Sequence, residues 1–228
     1  MHWFFITLIS PFAHGIVNFL DKYLINRYTT GNDSPSVGSL TLFSSLFAVV
    51  ILPIFLIFGI PEGPFNLILT TTLIVSGVIY LGAIIFYLYA LSDDDVSNVI
   101  PFWLTVPVFD FILAWFFLNE KLSSIQILAA LGVLFGGLIL SLEHDEEGKV
   151  RVKWKPALLM LGSSVCFAIN IFLFKKIAME GSFFDSLFFT YLGYLLGGIV
   201  LFIFIRSYRK GFIELLRKSG SVLLGINV

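Results

Sequence analysis

Residues 67–91, LILTTTLIVSGVIYLGAIIFYLYAL, form an unbroken run without a single charged side chain. A helix needs about 20 mostly apolar residues to cross the hydrocarbon core of a bilayer, and this run is long enough. Backbone polar groups in lipid must find their partners within the segment, so an α-helix is expected. The short alternating strands of a membrane barrel do not match so long a continuous run.

Six further apolar runs flank this one, so the sequence predicts an all-α integral membrane protein with seven transmembrane helices. Their expected ranges are 3–24, 38–60, 67–91, 96–118, 122–142, 156–178 and 184–205. The connections are short and hold most of the charges, and the longest polar stretch covers residues 143–155.

Two segments follow the seventh run. Residues 206–218 are basic, and residues 220–228 are apolar or small, like the start of an eighth helix. The sequence is therefore expected to be a fragment or a truncated product. The opening segment has no basic residue before its apolar run and no small-residue cleavage site after it, which predicts a retained helix and not a signal peptide.

The composition supports the same interpretation. Hydrophobic residues make up 58% of the chain and charged residues 13%, whereas soluble domains have about 45–50% and 25%. A net charge of −1 provides no basic footprint for nucleic acid. The single cysteine, Cys166, cannot form an intrachain disulfide.

Enzymatic chemistry has little support in the sequence. His, Cys and Asp do not occur at metal-ligand spacing, and a Gly-rich phosphate loop is missing. Ser163 and Ser164 have no obvious base nearby in the sequence. We therefore expect no metal, no cofactor and no catalytic residue.

A weak internal repeat divides the chain. Residues 19–22 (FLDK) end the first predicted helix, residues 172–175 (FLFK) end the sixth, and the segment after each opens with Ser-Leu. This predicts a first unit of five helices at 1–142, a polar linker at 143–155 and an incomplete second unit at 156–228. Because five is odd, the second unit would enter the membrane from the opposite side, giving an inverted repeat.

Residues 101–137, PFWLTVPVFDFILAWFFLNEKLSSIQILAALGVLFGG, carry a family resemblance. Preceded by Ala90-Leu91, they combine a helix with a central Pro, a Leu-x-Glu-Lys-Leu motif at 118–122 and a Gly-rich helix. The pattern resembles the EamA-like branch of the drug/metabolite transporter superfamily. The resemblance implies ten helices in two inverted units, of which about three are missing here. It also implies a carrier of metabolites, amino acids or drugs with its substrate cavity between the units.

Asp110 is the sharpest candidate for chemistry. It lies three residues after Pro107, departs from the apolar run usual in the family, and is expected to share a face with Trp103. Pro removes a backbone donor and loosens the helix near the carbonyl of Trp103. One hypothesis is a proton or cation relay at a kinked helix. The alternative is a structural pair with Lys22, Asn18 or a tyrosine.

His14, Asn18 and Lys22 are spaced by four on the first predicted helix, which places them on one face. They would form a polar lining for a substrate path, and His14 could change protonation near neutral pH. The alternative is a hydrogen bond from His14 to a neighbouring helix, with Lys22 extending to the interface.

Other polar side chains occur at helical spacing in three predicted helices. They would line a pathway or, as commonly happens, form interhelical hydrogen bonds. They are Ser76, Tyr80 and Tyr87 with Ala83 on the third helix, Asn170 on the sixth, and Thr190, Tyr191 and Tyr194 on the seventh. Gly132 with Gly136, and Gly193 with Gly197, are small-xxx-small pairs that predict close helix packing.

The orientation of the chain has two conflicting indications. With the N-terminus inside, three of the 14 Lys and Arg residues would be cytoplasmic and eleven would lie opposite. The positive-inside rule therefore favours an N-terminus outside, whereas the family resemblance implies one inside.

The leading functional hypothesis is a transporter of a small organic solute that works by alternating access, with proton coupling through Asp110 and His14. The expected surroundings are a lipid bilayer, the expected location is the plasma membrane, and a homodimer is compatible with the sequence. A non-transporting membrane scaffold or partner subunit is the main alternative. An intramembrane enzyme would need a nucleophile and a base that converge in a cavity.

Overall fold

The computed structural model describes residues 2–28, 35–58, 66–119, 121–140, 143–144, 150–151, 153–179 and 182–226. In these residues the chain is almost entirely helical. The helices are α1 (His2–Tyr28), α2 (Pro35–Phe58), α3 (Leu67–Asp93), α4 (Val96–Val99), α5 (Val106–Leu118), α6 (Ser124–Leu140), α7 (Trp154–Ala178), α8 (Phe183–Phe204) and α9 (Arg206–Ile226). A 3₁₀ segment, Ile100–Thr105, joins α4 to α5.

Five segments are long and apolar enough to cross a membrane. They are Val37–Phe55, Leu67–Asp93, Val96–Leu118, Trp154–Ala178 and Phe183–Phe204, and they coincide with five of the seven predicted runs. The other two predicted spans, 3–24 and 122–142, are helical as α1 and α6 but are not among these five. The apolar part of α6, Ser124–Gly137, is shorter. The count of seven spans and the inverted repeat therefore remain predictions.

The predicted fourth helix, 96–118, is interrupted. Residues 100–105 adopt 3₁₀ geometry, and Pro occupies one of the first two positions of both that segment and α5. Proline is tolerated there because its missing N–H would have no intrahelical acceptor. The carbonyl of Trp103 accepts from the N–H of Val106, so the tighter 3₁₀ turn satisfies it. The expected change of geometry is present, and it lies before Pro107.

Helix α3 is the central helix of the bundle, because it packs against α1, α2, α7 and α8. Its contact with α8 is a backbone contact: a Cβ on Gly77 would collide with the main chain at Thr190 and Tyr194, and one on Gly193 with Ile74. Glycine at both positions is what allows the two helices to approach so closely.

The segment after α8 differs from the prediction. A basic stretch followed by the start of a new helix was expected, but residues 206–226 form the single helix α9. Its Leu215 is buried and Phe212 packs against the same core as α2 and α3. The hydroxyls of Tyr208 and Tyr89 are 2.8 Å apart. Helix α9 is thus amphipathic, with its apolar side against the bundle.

The predicted polar linker contains a short antiparallel pair, Glu143–His144 with Val150–Arg151. His144 therefore lies in a two-residue strand. Residues 145–149 and 152 of the linker lie outside the described residues, as do Glu120 and the last two residues of the predicted eighth helix.

Candidate functional site

A cavity of about 220 Å³ lies between α3, α7 and α8. Its wall is mostly apolar, with a few polar groups that come from all three helices. The lining residues are Tyr80, Asn170, Ile171, Phe174, Leu187, Thr190, Tyr191 and Tyr194. Ligand pockets for drug-sized molecules have a similar character but occupy roughly 300–1,000 Å³. This cavity therefore suits a small solute.

The polar groups of the cavity wall are held by the backbone of the surrounding helices. Asn170 Nδ2 donates to the carbonyl of Ser76 at 3.0 Å, and the Thr190 hydroxyl donates to the carbonyl of Ser186 at 2.8 Å. These bonds fix the side chains in place, so the cavity wall is preorganised.

Five aromatic rings run from the cavity towards α1, and we call them the aromatic chain. Successive ring centroids are separated by 5.1 Å between Tyr194 and Tyr80, 5.5 Å between Tyr80 and Phe167, 6.1 Å between Phe167 and Trp103, and 4.8 Å between Trp103 and Tyr87. These distances are those of directly packed aromatic pairs. The aromatic chain therefore connects the cavity to Tyr87 without a gap.

A carboxyl group lies at the far end of the aromatic chain. The hydroxyl of Tyr87 is 3.1 Å from both Asn18 Oδ1 and Asp21 Oδ2, so its single proton is shared between them. Among the described residues, none of the basic side chains pairs with Asp21.

The basic side chains nearest in sequence to this group point elsewhere. Lys22 Nζ donates to the carbonyls of Leu91 at 2.9 Å and Asp94 at 2.8 Å, and lies 3.6 Å from the Asp95 carboxylate. Lys22 therefore neutralises the C-terminal end of α3, where the free carbonyls carry partial negative charge.

The linker side of α7 contributes to the same surface, which we call the charged end (Lys22, Asp93, Asp94, Asp95, Lys153 and Lys155). Lys153 Nζ is 2.8 Å from Asp94 Oδ1, and Lys155 Nζ is 2.8 Å from Asp93 Oδ2. Asp94 is buried, whereas the Lys155 side chain is 77% exposed. The charged end therefore ties α1, α3, α4 and α7 together.

Asp94 is the most heavily bonded carboxylate of the charged end. Burial disfavours its ionised form, but hydrogen bonds from Lys153, the Asp95 backbone and Asn98 outweigh that cost. Together they hold the pKa of Asp94 below its usual value. Asp94 is therefore ionised at neutral pH and anchors the pair with Lys153.

The sequence of the chain matches the model of a known family, the EamA-like transporter family, over residues 1–142. This is more than half of the chain. The chain belongs to the EamA-like transporter family. It is accordingly an integral membrane protein of a transporter family and not of an enzyme family. No curated protein and no solved structure matches it.

The fold of this EamA-like transporter brings together six of the predicted pathway residues. Asn18, Tyr80, Tyr87, Trp103, Asn170 and Tyr194 all lie in the cavity wall, in the aromatic chain or at its Asp21 end. The contacts among these residues connect α1, α3, α7 and α8. Sequence spacing alone placed each residue on a helix face but could not show which faces meet.

Two predicted residues lie apart from this group. His14 is exposed on α1, although it is spaced by four from the buried Asn18. Asp110 is half-buried on α5, and neither residue lines the cavity. Lys22, one of the partners considered for Asp110, bonds to the ends of α3 and α4. Trp103 lies in the 3₁₀ segment and not with Asp110 on one α-helical face.

Asp21 is the site residue that the sequence reasoning missed. It stands next to Lys22, and neighbouring opposite charges near a helix end are easily taken for a solvated pair. The signal that could have identified it is its spacing of three from Asn18, which puts both side chains on one helix face. In the structure those two residues share the Tyr87 proton, whereas Lys22 points away.

The predicted packing glycines lie in two different environments. A Cβ on Gly193 or Gly197 would meet α3, at Ile74 and Leu81 respectively. A Cβ on Gly132 or Gly136 would meet none of the neighbouring described atoms. On α6 it is Gly137 that faces another segment, at Leu104. The small-xxx-small spacing was present in both helices, but it does not reveal which helix has a neighbour.

Proposed function

We propose that this EamA-like transporter carries a small organic solute across the bilayer by alternating access, and that the cavity between α3, α7 and α8 is part of the substrate path. The observation that supports the proposal is a preorganised cavity with polar groups inside long apolar helices. Polar groups are costly in lipid, so they either bond between helices or face a cavity. A small-solute carrier provides the reason to retain them.

The surfaces around the cavity also suit movement. Alternating access needs one group of helices to rock against another around the bound solute. The α3–α8 seam is smooth because Gly77 and Gly193 place backbone against backbone. The charged end closes the bundle with ion pairs that can break and reform as discrete contacts.

Proton coupling is a separate part of the proposal. Asp110 and His14 are the candidates from the sequence, and Asp21 joins them because it is an acid next to the aromatic chain. Replacing Asp110 with Asn is expected to preserve the fold and to reduce proton-coupled uptake into vesicles. Uptake that stays unchanged and independent of pH in Asp110→Asn would remove this residue from the coupling scheme.

Location and assembly complete the proposal. We place the protein in the plasma membrane and expect a homodimer to be compatible with its exposed apolar helices. Cysteines introduced at exposed positions of the chain and labelled in intact cells would decide whether the N-terminus lies inside or outside. Crosslinking in native membranes would test the dimer.

The test of the transport function uses the whole chain reconstituted in lipid vesicles. A panel of radiolabelled metabolites, amino acids and amines is offered, and counterflow of at least one solute is expected. A non-transporting scaffold, the main alternative, predicts no counterflow with any solute although the protein is folded and inserted.

A pair of variants connects the transport signal to the cavity. Asn170→Ala removes the cavity amide, and we expect the half-saturating concentration to rise about fivefold to tenfold, equivalent to about 1 kcal/mol for one hydrogen bond. Thr71→Ala is the control, because Thr71 is exposed on α3 and bonds only to carbonyls of its own helix. Equal transport by both variants and the parent would exclude the cavity from the path.

A further inference from the structure

Helix α9 begins at a boundary of the membrane. The apolar span of α8 ends at Phe204, and α9 starts at Arg206. The hydroxyls of Tyr208 and Tyr89 are 2.8 Å apart, and Tyr89 lies near the end of the α3 span. The ring of Tyr208 also packs on Gly38, in the first turn of the α2 span. Three spans therefore place Tyr208 at one surface of the bilayer, where tyrosine is enriched.

Helix α9 is amphipathic and is not among the five apolar segments long enough to cross the membrane. In the described part of the chain it contacts α8, α2 and α1. Phe212 packs edge to face on Phe202 of α8, and Leu215 is buried in the core. A helix that starts at the bilayer boundary and packs one side on the protein turns its other side towards the lipid headgroups.

Three basic side chains share the outer side of α9, and we call them the basic face (Arg206, Lys210 and Arg217). Their spacing of four and seven residues places them on one side of a helix, opposite to Phe212 and Leu215. All three are exposed. Within the residues that the structure describes, none of them forms an ion pair. The basic face therefore has a positive charge that the fold does not neutralise.

The remaining outer residues of α9 combine charge with apolar surface. The guanidinium of Arg209 lies over the ring of Phe202, 6.0 Å from its centroid, and Nη1 donates to the carbonyl of Ile203 at 3.4 Å. Such a side chain covers apolar surface with its stem and keeps its charge at the boundary. Ile213 and Leu216 beside the basic face are each 42% exposed. This mixture suits the depth where headgroups meet acyl chains.

The charged end lies on the same side of the membrane but is neutralised within the protein. A Cβ on Gly193 would meet Ile74, and one on Gly197 would meet Leu81. Both pairs advance along the chain together, so α3 and α8 run parallel and end at the same surface. The lysines of the charged end each pair with a carboxylate. Helix α9 has five basic residues and one acidic residue, so the counter-charge for its basic face must come from outside the helix.

Anionic lipid is the partner that fits this position best. A soluble acidic protein or a nucleic acid would approach from the water and leave Ile213 and Leu216 uncovered. Phospholipids supply phosphate groups and acyl chains at the same boundary, and arginine and lysine both bind phosphate. Basic residues close to a membrane span attract anionic lipids through their charge.

We propose that the basic face of α9 binds the phosphate groups of anionic phospholipids and holds this helix on the membrane surface. Each arginine can donate two parallel N–H bonds to one phosphate, and Lys210 adds a point charge between them. This inference goes beyond the proposed transport function and does not depend on the cavity.

The experiment measures lipid binding to the whole chain in detergent by native mass spectrometry, with thermal unfolding as a second measurement. The probes are dioleoyl phosphatidylglycerol, which is anionic, and dioleoyl phosphatidylcholine, which has the same acyl chains and no net charge. We expect the anionic lipid to bind about tenfold more tightly and to raise the unfolding temperature. Thermal unfolding at about 1 M salt, where charges are screened beyond about 3 Å, should show a smaller difference between the two lipids.

Two double variants separate the basic face from the total charge of the protein. Arg206→Gln combined with Lys210→Gln removes two charges from the basic face, and we expect the preference for the anionic lipid to fall below about threefold. Lys121→Gln combined with Lys176→Gln removes the same charge from exposed positions outside α9, and the preference should stay within twofold of the parent. The comparison of the two lipids uses the parent protein, so it remains decisive if a variant does not fold.

Four results would overturn the lipid site. They are equal binding of the two lipids to the parent, an unchanged preference in the folded α9 variant, an equal loss of preference in both double variants, and displacement of the anionic lipid by inorganic phosphate or by a soluble polyglutamate peptide. The last result would assign the basic face to a water-soluble anion. None of these results bears on transport, because counterflow is measured separately in vesicles.

Discussion

At the α3–α8 seam, backbone packs on backbone and few polar contacts cross the interface. About 25 Å further along α3, by the rise of an α-helix, the charged end is held by lysines that bond carboxylates and helix carbonyls. Backbones that touch at glycines fit together in one arrangement, so this contact fixes the position of the two helices relative to each other. Ion pairs exchange partners with water and with one another, so they can open. A carrier that works by alternating access needs both a fixed helix contact about which helices can rotate and a charged end whose ion pairs can open.

The largest effect is expected from breaking the seam. Gly193→Leu places a side chain against the backbone at Ile74, and because neither backbone can yield, we expect a loss of several kcal/mol or failure to fold. Gly132→Leu is the matched control, since a Cβ there has open space. Thermal unfolding in detergent measures both. Comparable unfolding temperatures for the two variants would contradict the backbone contact.

A smaller effect is expected at the charged end. Lys153→Met leaves the buried Asp94 without its cation, and we expect a loss of about 1–2 kcal/mol, between the values for exposed and buried ion pairs. Lys155→Met interrupts the exposed pair with Asp93 and should cost about 0–1 kcal/mol. Denaturant unfolding would compare them. If Lys155→Met were the more damaging substitution, the burial of Asp94 would not be the reason for its importance.

Two tyrosines on α3 sharpen the comparison between site and periphery. Tyr87→Phe removes the proton that Asn18 and Asp21 share, and we expect a loss of about 1 kcal/mol together with weaker solute binding. Tyr89→Phe removes the bond to Tyr208 of α9, and solute binding should stay within twofold of the parent. Titration of the best counterflow substrate distinguishes them, and an equal loss of binding in both variants would argue against a site at Tyr87.

The smallest effect is expected in the pH dependence of stability, through the carboxyl group of Asp94. The pKa of Asp94 is lower in the folded protein than the roughly 3.9 of an unfolded chain. Its contribution to stability is therefore fully present above about pH 4 and is lost as pH falls through the folded pKa. Between pH 6 and pH 3, the unfolding temperature of Asp94→Asn should fall less steeply than that of the parent. Parallel curves would show that Asp94 does not contribute to acid sensitivity.

The sequence predicted the five long apolar spans because length and hydropathy are properties of each run by itself. It also named Tyr80, Tyr87, Asn170 and Tyr194 as candidate pathway residues, and the structure places them in the cavity wall or the aromatic chain. The sequence could not show which side chains contact one another. Asp21 and Lys22 are neighbours in the sequence, but Asp21 accepts from the Tyr87 hydroxyl whereas Lys22 donates to the carbonyl of Leu91. Whether a glycine faces a neighbour likewise depends on which helices pack together, as Gly132 and Gly193 show.

Continuous helix α9 was also outside the reach of hydropathy. Its basic residues are interspersed with Phe212 and Leu215, which lie three apart on the side that packs on the core. The result is an amphipathic helix with a low average hydropathy. A search for apolar runs passes over such a segment, because its low average hydropathy hides an apolar side that packs against α2 and α8.

The central position of α3 has a consequence for how the chain is made. Ser163 of α7 donates to the carbonyl of Ala83, and Asn170 donates to that of Ser76. When α3 leaves the ribosome, α1 and α2 are already present but α7 and α8 have not yet been synthesised, so the face of α3 that packs on α7 and α8 stays uncovered until they are made. The bonds from α7 to α3 can therefore form only after the second half of the chain has been made.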